Sequence, residues 1–527
     1  MALFKILRRT LIPTRPRSAR FNLRLSSSPC LPFSLSPCLL VFLFAAAPSQ
    51  TAAAAPPNIV LILADDLGAT DLACYGADLH ETPRLDSLAK QSATFTQAYS
   101  AAPVCSPTRA ALMTGKHPAR LGITIWSEGS LAGPKNRKLL QGESQHDLAL
   151  SEVTLAERLH EAGYATALIG KWHLGDADHA PETQGFDLNI GGTRWGAPQS
   201  FFWPYRGAGR FGTDFRYVPG LPLGKPGDYL TDKLTDAAIS FIDAARERPF
   251  FLYLAHHAPH TPIESPAAEV EHFRAKLAPG LKHQNATYAA MIKNLDTNVG
   301  RVLDHLQSRG LAENTIVIFT SDNGGYIGAD RKSSDPTPPC TNNHPLRSGK
   351  GSLYEGGIRV PLLIRGPQVT AGHRSQPTIT TDLFFTLLAA TVDPSTESNP
   401  KSKIQNLKSL SPADGLDIMP VLKSPNANLP RDTLYWLYPH YYETTTPVSA
   451  IRSGDWKLLE YFEDQSIELY NLATDPTESK NLTPSDPNRA TDLQKQLHTW
   501  RVTTSAKLPT PNPAFRPNLL KTENRKL

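Results

Sequence analysis

The stretch Asn58-Ile-Val-Leu-Ile-Leu-Ala64, followed at once by Asp65 and Asp66, decides the fold. An unbroken apolar run of this length is typical of a strand that is buried on both faces of a parallel sheet. In open α/β sheets, ligands bind beyond the carboxyl ends of the strands. We therefore expect Asp65 and Asp66 to lie at a functional edge of such a sheet.

Three further apolar runs repeat this pattern. Each is followed by ionisable or metal-binding side chains: Ala165–Gly170 by Lys171 and His173, Phe250–Ala255 by His256–His260, and Thr315–Thr320 by Asp322 and Asn323. Between the last two runs, apolar residues recur at helical spacing from Ile292 to Leu306. A polar loop after one strand is commonplace, but four of them predict an α/β fold whose site lies at one shared edge.

The composition is that of a folded protein with balanced charge. Apolar residues make up 40% and charged residues 20% of the 527, which excludes wholesale disorder and suits two or three domains. The formal charge of +5 arises in residues 1–57, which hold seven basic and no acidic residues; the remainder holds 47 basic and 49 acidic residues. We therefore expect no nucleic-acid partner.

The basic leader, residues 1–55, has the order of a secretory signal peptide. The apolar run Cys38–Ala47 follows the basic stretch and precedes an alanine-rich segment suited to cleavage. The alternative is a membrane anchor, but the run is shorter than the roughly 20 residues that span a bilayer. We expect an exported protein, in the periplasm, the lumen or the medium, without a membrane span in the mature chain.

The C-terminal part changes in character. Residues 396–412 are rich in Ser, Pro, Asn and Lys, which predicts a linker or surface excursion between a catalytic domain at 57–395 and a smaller domain at 413–510. Short aromatic and β-branched runs between Thr433 and Tyr470 predict a small antiparallel sheet, and Ala490–Val502 predicts a helix. We expect an irregular tail at 511–527.

Cys105 lies in a segment built like the start of a helix. Pro107 suits a first turn and Ser106 can cap it, so a group at position 105 would face free N–H groups that favour anions. Arg109, one turn later, can point to the same place. The alternative is an ordinary buried thiol. Cys74 and Cys340 also follow the leader, and whether they form a disulfide stays open.

These residues belong to motifs that resemble the sulfatases whose Cys-x-Pro-x-Arg cysteine is oxidised to formylglycine. The similarity covers roughly residues 57–510. Its motifs occur in the order of that family: Asp65-Asp66, Cys105-Ser-Pro-Thr-Arg109, Gly163–Gly175, Ala258–Pro262, Ser321–Gly325 and Gly349–Pro361. The resemblance implies an alkaline-phosphatase-like α/β fold, a central mixed sheet flanked by helices, with a smaller C-terminal α+β subdomain.

The resemblance also implies one calcium ion per subunit. Its ligands would be Asp65, Asp66, Cys105 after oxidation, Asp322 and Asn323. Oxygen donors without imidazole or thiolate suit a hard cation of this kind. Taken alone, the two acidic segments could equally be a solvated turn and a β-turn.

By the same resemblance, formylglycine would form from Cys105 through a maturation enzyme and react as a hydrate. One hydroxyl would attack sulfur, and deprotonation of the other would then expel sulfate. Arg109 and His173 would orient and deprotonate the hydrate. Lys171, His260 and Lys350 would hold the sulfate oxygens, with His260 or Lys350 protonating the leaving oxygen.

Other residues are weaker candidates. His256, His257 and His344 could face the pocket or be core and loop residues. Trp126, Trp195 and Ser200–Tyr205 could form a wall for a sugar, although packing beneath a long loop is the simpler interpretation.

The predicted activity is hydrolysis of the sulfate ester of a carbohydrate or aryl alcohol. Two alternatives remain. One is a phosphomonoesterase or phosphodiesterase on the same scaffold, and the other is an inactive carbohydrate-binding relative. The single oxygen-ligand metal site disfavours the first, and the complete set of reactive residues disfavours the second. Loops such as Ile123–His146 and Gly192–Pro226 select the substrate, and the sequence does not name it.

Overall fold

The computed structural model describes residues 55–131, 135–210, 212–245, 247–330, 338–391 and 414–517. The predicted leader at 1–55 lies almost wholly outside these residues, and the predicted linker at 396–412 lies entirely outside them. Residues Ala53–Leu527 form one compact unit.

The strands in the described residues are β1 (Asn58–Ala64), β2 (Ala93–Phe95), β3 (Ala98–Tyr99), β4 (Leu139–Leu140), β5 (Ala165–Gly170), β6 (Leu188–Ile190), β7 (Gly207–Gly209), β8 (Gly212–Arg216), β9 (Phe250–Ala255), β10 (Thr315–Ser321), β11 (Leu362–Arg365), β12 (Gly372–Arg374), β13 (Thr378–Ile379), β14 (Thr433–Tyr438), β15 (Val448–Ser453), β16 (Trp456–Tyr461), β17 (Ile467–Asn471) and β18 (Thr510–Pro511).

The α-helices in the described residues are α1 (Pro83–Lys90), α2 (Cys105–Thr114), α3 (Pro118–Leu121), α4 (Ser127–Ser130), α5 (Leu155–Glu161), α6 (Leu230–Ala245), α7 (Ala267–Arg274), α8 (Ala286–Ser308), α9 (Glu355–Ile358), α10 (Thr381–Thr391), α11 (Met419–Lys423) and α12 (Pro487–Thr503). Among them, none has both the length and the apolarity to cross a membrane.

The central sheet is mixed and has the strand order β12-β2-β11-β10-β1-β9-β5-β6. The four strands predicted from apolar runs are consecutive and parallel in it. β1 pairs with β10 from Asn58 opposite Thr315 to Ala64 opposite Ser321. Because the last paired residues are Ala64 and Ser321, the next residues of the two strands, Asp65 and Asp322, lie side by side at the carboxyl edge of the sheet.

Helices cover both faces of the central sheet. Side chains of a strand alternate between its faces, and in β1 the residues Ile59, Leu61 and Leu63 pack with α2, α5, α10 and α11. The intervening Val60, Ile62 and Ala64 pack with α1, α6 and α8. Two apolar cores therefore hold the sheet, as expected for a strand that is apolar at every position.

The C-terminal sheet has four antiparallel strands in the order β14-β15-β16-β17. One face packs on α12 through residues such as Ile451 and Leu458. The other face, with Trp436 and Ala450, packs against Val104 and Ala111 at α2. The predicted small sheet is present, and its second face supports the helix that begins at Cys105.

Two remaining expectations have clear outcomes. The predicted irregular tail is wrong at its first residue, because Pro511 belongs to β18, which pairs with β4. Cys74 is exposed, Cys340 is buried, and both are free thiols.

Candidate active site

The predicted acidic residues meet at the carboxyl edge of β1 and β10. Asp65, Asp66, Asp322 and Asn323 are all buried. The backbone N–H of Asp66 donates to Asp322 Oδ1 at 3.2 Å, and Asn323 Nδ2 donates to Asp66 Oδ1 at 2.8 Å. Asp66 has a φ of 63°, in the left-handed region that is costly for a residue with a side chain. Contacts across the sheet edge therefore hold the backbone in a strained conformation.

A basic side chain faces each carboxylate. Lys171 Nζ lies 2.7 Å from Asp65 Oδ2, Arg109 Nε donates to Asp322 Oδ2 at 2.9 Å, and Lys350 Nζ lies 2.7 Å from Asp66 Oδ1. These three acids and three bases form what we term the ionic pocket. Its formal charges cancel, so the buried carboxylates are compensated by residues of the chain itself.

The ionisation of the pocket follows from burial and from these pairs. Burial raises the pKa of Asp65 to about 8, with Lys171 opposing that rise. Burial also acts on Asp66, but Lys350 and His260 outweigh it and hold the pKa below its usual range. Burial disfavours the charge of Lys350, yet Asp66 raises its pKa well above the usual value. Of the three aspartates in the ionic pocket, Asp65 is therefore the one whose carboxyl pKa is raised, while those of Asp66 and Asp322 are lowered.

Cys105 is the first residue of α2 and is only 3% exposed. Its Sγ lies 3.5 Å from Lys350 Nζ, at the rim of the ionic pocket. The expected cap by Ser106 is wrong: Val104 occupies the N-cap position, and the Ser106 hydroxyl donates instead to the backbone oxygen of His173 at 2.8 Å. The helix N-terminus is thus tied directly to the loop that carries Lys171 and His173.

Several ligand-type oxygens in this region have no hydrogen-bond partner. Among the described residues, nothing donates a hydrogen bond to the buried Asp65 Oδ1 or Asn323 Oδ1, and Arg109 Nη2 lies 3.7 Å from Asp65 Oδ1. Ligand atoms of Asp65, Asp66, Cys105 and His260 lie within 4.8 Å of one another. Buried acceptors without donors are costly unless something else satisfies them. The residues present therefore fit a bound cation.

The family described as Sulfatase matches residues 57–393. The chain belongs to the sulfatase family. A second family, described as N-sulphoglucosamine sulphohydrolase, C-terminal, matches residues 348–506. The two matches overlap at residues 348–393, a segment that includes Lys350.

Individual relatives agree with this assignment. A sulfatase of Formosa agariphila is 32% identical over 524 residues, covering 85% of this chain and 89% of the relative. An N-acetylgalactosamine-6-O-sulfatase of Bacteroides thetaiotaomicron is 30% identical, covering 85% and 93%. A solved structure of Ps i-CgsB in complex with k-i-k-neocarrahexaose has a TM-score of 0.67 at 30% identity, covering 89% of this chain and 97% of that chain. This sulfatase is a hydrolase of sulfate esters with the predicted alkaline-phosphatase-like fold.

His173 has an unusual setting in the sulfatase. Its φ is 60°, and its ring lies against Gly196, where a Cβ would come within 2.4 Å of a ring carbon. Its Nε2 lies 3.5 Å from Glu128 Oε2, whereas its Nδ1 is buried without a partner. Burial, reinforced by Lys171, lowers the pKa of His173 to about 4. The imidazole is therefore neutral, and burial together with Lys171 disfavours its protonated form.

The other candidate histidines differ in whether they contact a carboxylate of the ionic pocket. His260 lies 3.5 Å from Asp66 Oδ2 through Nε2, while its Nδ1 faces the Thr261 carbonyl oxygen at 2.6 Å. His257 is buried with both ring nitrogens unpaired, and burial lowers its pKa well below the usual value. His344 is exposed in a loop. Only His260 is thus linked to the carboxylates by a contact.

Sequence reasoning missed two residues, Glu128 and Thr444, that contact the predicted site residues. Glu128 joins His173 to Arg216, whose guanidinium lies 5.1 Å from the centre of the Trp195 ring. The Thr444 hydroxyl donates to the backbone oxygen of Lys350 at 2.7 Å, so the loop between β14 and β15 contacts the segment that carries this lysine. Neither Glu128 nor Thr444 follows a strand of the central sheet, and no local pattern marks them.

Proposed function

We propose that this sulfatase is formylglycine-dependent, carries one calcium ion per chain and removes sulfate from a sulfated carbohydrate, with aryl sulfates as further substrates. The observation that carries the proposal is the position of Cys105. Its thiol is buried at the first residue of a helix, next to Lys350 and beside a pocket with unpaired carboxylate and amide oxygens. A merely structural cysteine needs none of these neighbours.

Asp65, Asp66, Asp322 and Asn323 would hold the calcium ion. The ion would supply positive charge that polarises the reacting oxygens. The need for it follows from the charge balance once Asp65 ionises to act as a ligand, because the three basic residues of the ionic pocket then only offset its three carboxylates. An additional divalent cation therefore gives the pocket the positive charge that an anionic sulfate ester requires.

Formylglycine at position 105 would supply, once hydrated, a hydroxyl that attacks sulfur and a second hydroxyl whose deprotonation expels sulfate. In our proposal Arg109 and His173 orient this group, and the neutral His173 accepts the proton. Lys171 and Lys350 bind sulfate oxygens. His260, which is partly exposed, or Lys350 donates a proton to the leaving oxygen.

The maturation itself is testable. Oxidation of Cys105 requires a maturation enzyme, and we expect active protein to carry the aldehyde in place of the thiol. Mass spectrometry of the peptide spanning Ala102–Arg109 measures this directly. Full activity in a preparation whose Cys105 is an intact thiol would refute the proposal.

Cys105→Ser separates this cycle from that of a phosphatase. The serine hydroxyl can attack once, but the variant lacks the second hydroxyl that expels sulfate. We expect the variant to stall after one sulfation, with a stable ester on residue 105 that is visible by mass. Sustained turnover by the variant, or a preference of the wild type for phosphate over sulfate in matched esters, would favour a phosphomonoesterase or phosphodiesterase instead.

For the substrate we propose a sulfated glycan. The support is that two of the similar proteins are, by name, an N-acetylgalactosamine-6-O-sulfatase and a protein bound to a neocarrahexaose. A panel of sulfated galactosamine, glucosamine and carrageenan oligosaccharides beside an aryl sulfate, with released sulfate measured, tests this. Turnover of the aryl sulfate but of no sugar would refute it.

We further propose export of the enzyme through the leader at 1–55, and an organisation with a catalytic domain at 57–395 and a C-terminal domain at 413–510. N-terminal sequencing of the secreted protein tests the cleavage. A mature chain that still begins at Met1 would contradict it.

A further inference from the structure

A second group of metal-type ligands lies outside the ionic pocket. Asp71 follows β1, His80 precedes α1, and His283 precedes α8. One ring nitrogen of each histidine and one carboxylate oxygen of Asp71 all lie within 4.8 Å of one another. The two rings are 4.3 Å apart between centres, and the residues are 4% and 3% exposed. The group is therefore buried, and its potential ligand atoms lie close together.

Hydrogen bonds orient both imidazoles. His80 Nδ1 faces the Asp71 backbone oxygen at 2.8 Å, and His283 Nδ1 faces Asp78 Oδ1 at 2.7 Å. Since a carbonyl or carboxylate oxygen only accepts, each Nδ1 carries a proton, and in the neutral form of either ring the lone pair therefore lies on Nε2. Both Nε2 atoms are buried, and neither has a hydrogen-bond partner in the part of the chain that the structure describes. A histidine that donates its other N–H to a carboxylate or carbonyl is the usual arrangement of a metal ligand.

The spacing of the donors suits a small transition-metal ion. His283 Nε2 lies 3.4 Å from Asp71 Oδ1. Two ligands of a tetrahedral zinc ion, each about 2.1 Å from the metal, are about 3.4 Å apart. We propose that Asp71, His80 and His283 bind a zinc ion, with a fourth position for water. This site is distinct from the proposed calcium site in position and in donor chemistry, because imidazole favours zinc and oxygen donors favour calcium.

Such an ion would hold the loop that carries a carboxylate of the ionic pocket. Asp71 Oδ2 accepts from the Gly68 N–H and from the Tyr288 hydroxyl, both at 2.8 Å. The same hydroxyl lies 3.2 Å from the backbone oxygen of Asp66. On its Oδ1 side, Asp71 accepts from the Thr341 hydroxyl at 2.5 Å. The zinc ion would thus be structural, and its effect on activity would act through the position of Asp66.

The alternative to a bound metal ion is protonation of His283. Burial disfavours charge on His283, but the carboxylates of Asp71 and Asp78 raise its pKa above the usual value. Burial lowers the pKa of His80 to about 4, so this ring stays neutral and able to bind a metal. Without an ion, the group would be an imidazolium held between two carboxylates. The two states differ in metal content, which can be measured.

The test is the zinc content of the full-length protein. Purified protein is freed of metal, given excess Ca²⁺ to fill the oxygen site, titrated with Zn²⁺ and measured by mass spectrometry of the metal. We expect one zinc per chain. Co²⁺ in its place should give the intense visible bands of a tetrahedral ion. His80→Gln and His283→Gln should each abolish stoichiometric binding, and Asp78→Asn should weaken it about 10–100-fold.

Two control variants locate the ion. His117→Gln alters a buried histidine whose ring nitrogens contact the Tyr435 carbonyl oxygen and the Ala119 N–H, and it should keep the zinc. Asp66→Ala disables the ionic pocket and should also keep it. Less than about a tenth of a zinc per wild-type chain, or stoichiometric zinc in both His80→Gln and His283→Gln, would overturn the proposal. If those variants fail to fold, the wild-type titration and the Co²⁺ spectrum decide alone. None of these readouts depends on formylglycine, so this inference and the proposed function can fail separately.

Discussion

The ionic pocket can be compared with a second cluster of buried charged residues. This cluster consists of Glu355, Lys457 and Glu478. In the second cluster Lys457 Nζ lies 2.9 Å from Glu355 Oε1 and 2.8 Å from Glu478 Oε1. The Tyr99 hydroxyl donates to Glu355 Oε2 at 2.8 Å, and the Glu355 N–H donates to Glu478 Oε2 at 2.7 Å. We term it the glutamate cluster. It joins α9 to β16 and to the loop after β17.

The difference between the two lies in what remains unsatisfied. The ionic pocket keeps buried oxygens without donors on Asp65 and Asn323, and a nucleophilic thiol at its rim. In the glutamate cluster Glu478 Oε1 also accepts no hydrogen bond from the described residues, but Lys457 Nζ lies 2.8 Å from it, and the cluster contains no cysteine or other reactive thiol. Buried charge occurs both in the proposed active site and in a structural cluster, so burial alone does not identify a site. Acceptors without hydrogen-bond donors next to a reactive group do. Mutation of the ionic pocket should therefore abolish activity, whereas mutation of the glutamate cluster should lower stability and leave activity unchanged.

The largest effect is expected in the ionic pocket. Asp66→Ala removes one proposed calcium ligand and the partner of Lys350, so kcat should fall at least about 10⁴-fold, equivalent to about 5.5 kcal/mol in the activation barrier. The melting temperature should fall as well, because Lys350 loses its carboxylate partner and alanine tolerates the left-handed φ at this position less well than aspartate does, but kcat per folded molecule should still fall by the full amount. Kinetics with a substrate that the wild type hydrolyses, beside calorimetry, measure both. Chelation of the wild type should reproduce the loss, and undiminished activity after verified calcium removal would contradict the assignment.

In the glutamate cluster, mutation should lower stability and leave kcat nearly unchanged. Lys457→Met leaves two buried carboxylates without their shared cation, so the free energy of unfolding should fall by about 3–5 kcal/mol. Below the melting transition, kcat per folded molecule should stay within about twofold of the wild type. Denaturant unfolding and kinetics at low temperature test this. Lys480→Met, at an exposed position, is the control and should change neither quantity. A loss of kcat without a loss of stability would place Lys457 in the catalytic machinery.

The smallest effect concerns pH. Burial, with Glu355 reinforcing it, raises the pKa of Glu478 to about 7 from 4.5. Folding therefore favours protonated Glu478, and this stabilising contribution is complete below pH 4.5 and lost as the pH rises through 7. Glu478→Gln mimics the protonated form. Relative to the wild type, it should gain stability between pH 4.5 and 7, by about 3 kcal/mol at most.

The measurement for this variant is thermal unfolding from pH 4.5 to 8. Glu313→Gln, an exposed glutamate, is the control and should show no such gain. A constant difference between Glu478→Gln and the wild type across this range would mean that Glu478 does not titrate there.

Sequence patterns predicted the parts of the site that follow strands. The run Asn58–Ala64 forms β1 with the predicted bounds, and Asp65 and Asp322 meet because parallel strands end at one edge. Apolar runs identify strands since burial on both faces excludes polar residues. The residues that carry the resemblance to sulfatases gave the family, and the family match over residues 57–393 confirmed it.

What the sequence did not predict depends on loops and on contacts between distant segments. Glu128 contacts His173 from a four-residue helix, and Thr444 contacts the backbone of Lys350 from the loop between β14 and β15. The short strands β2 and β12 at the edge of the central sheet have three residues each, too few for a periodic signal. Asp71, His80 and His283 also went unnoticed, because a 203-residue separation between the two histidines has no motif spacing.

The pairing of β1 with β10 has a consequence for the timing of synthesis. Asn323 and Asp66 are 257 positions apart in the chain. At about 5–20 residues per second, the ribosome needs on the order of 10–50 s to make that interval. Throughout this time the carboxylates of Asp65 and Asp66 have been made but lack their partners from β10. A nascent chain released before Thr315 can therefore contain the Cys105 motif and still be unable to assemble the pocket around it.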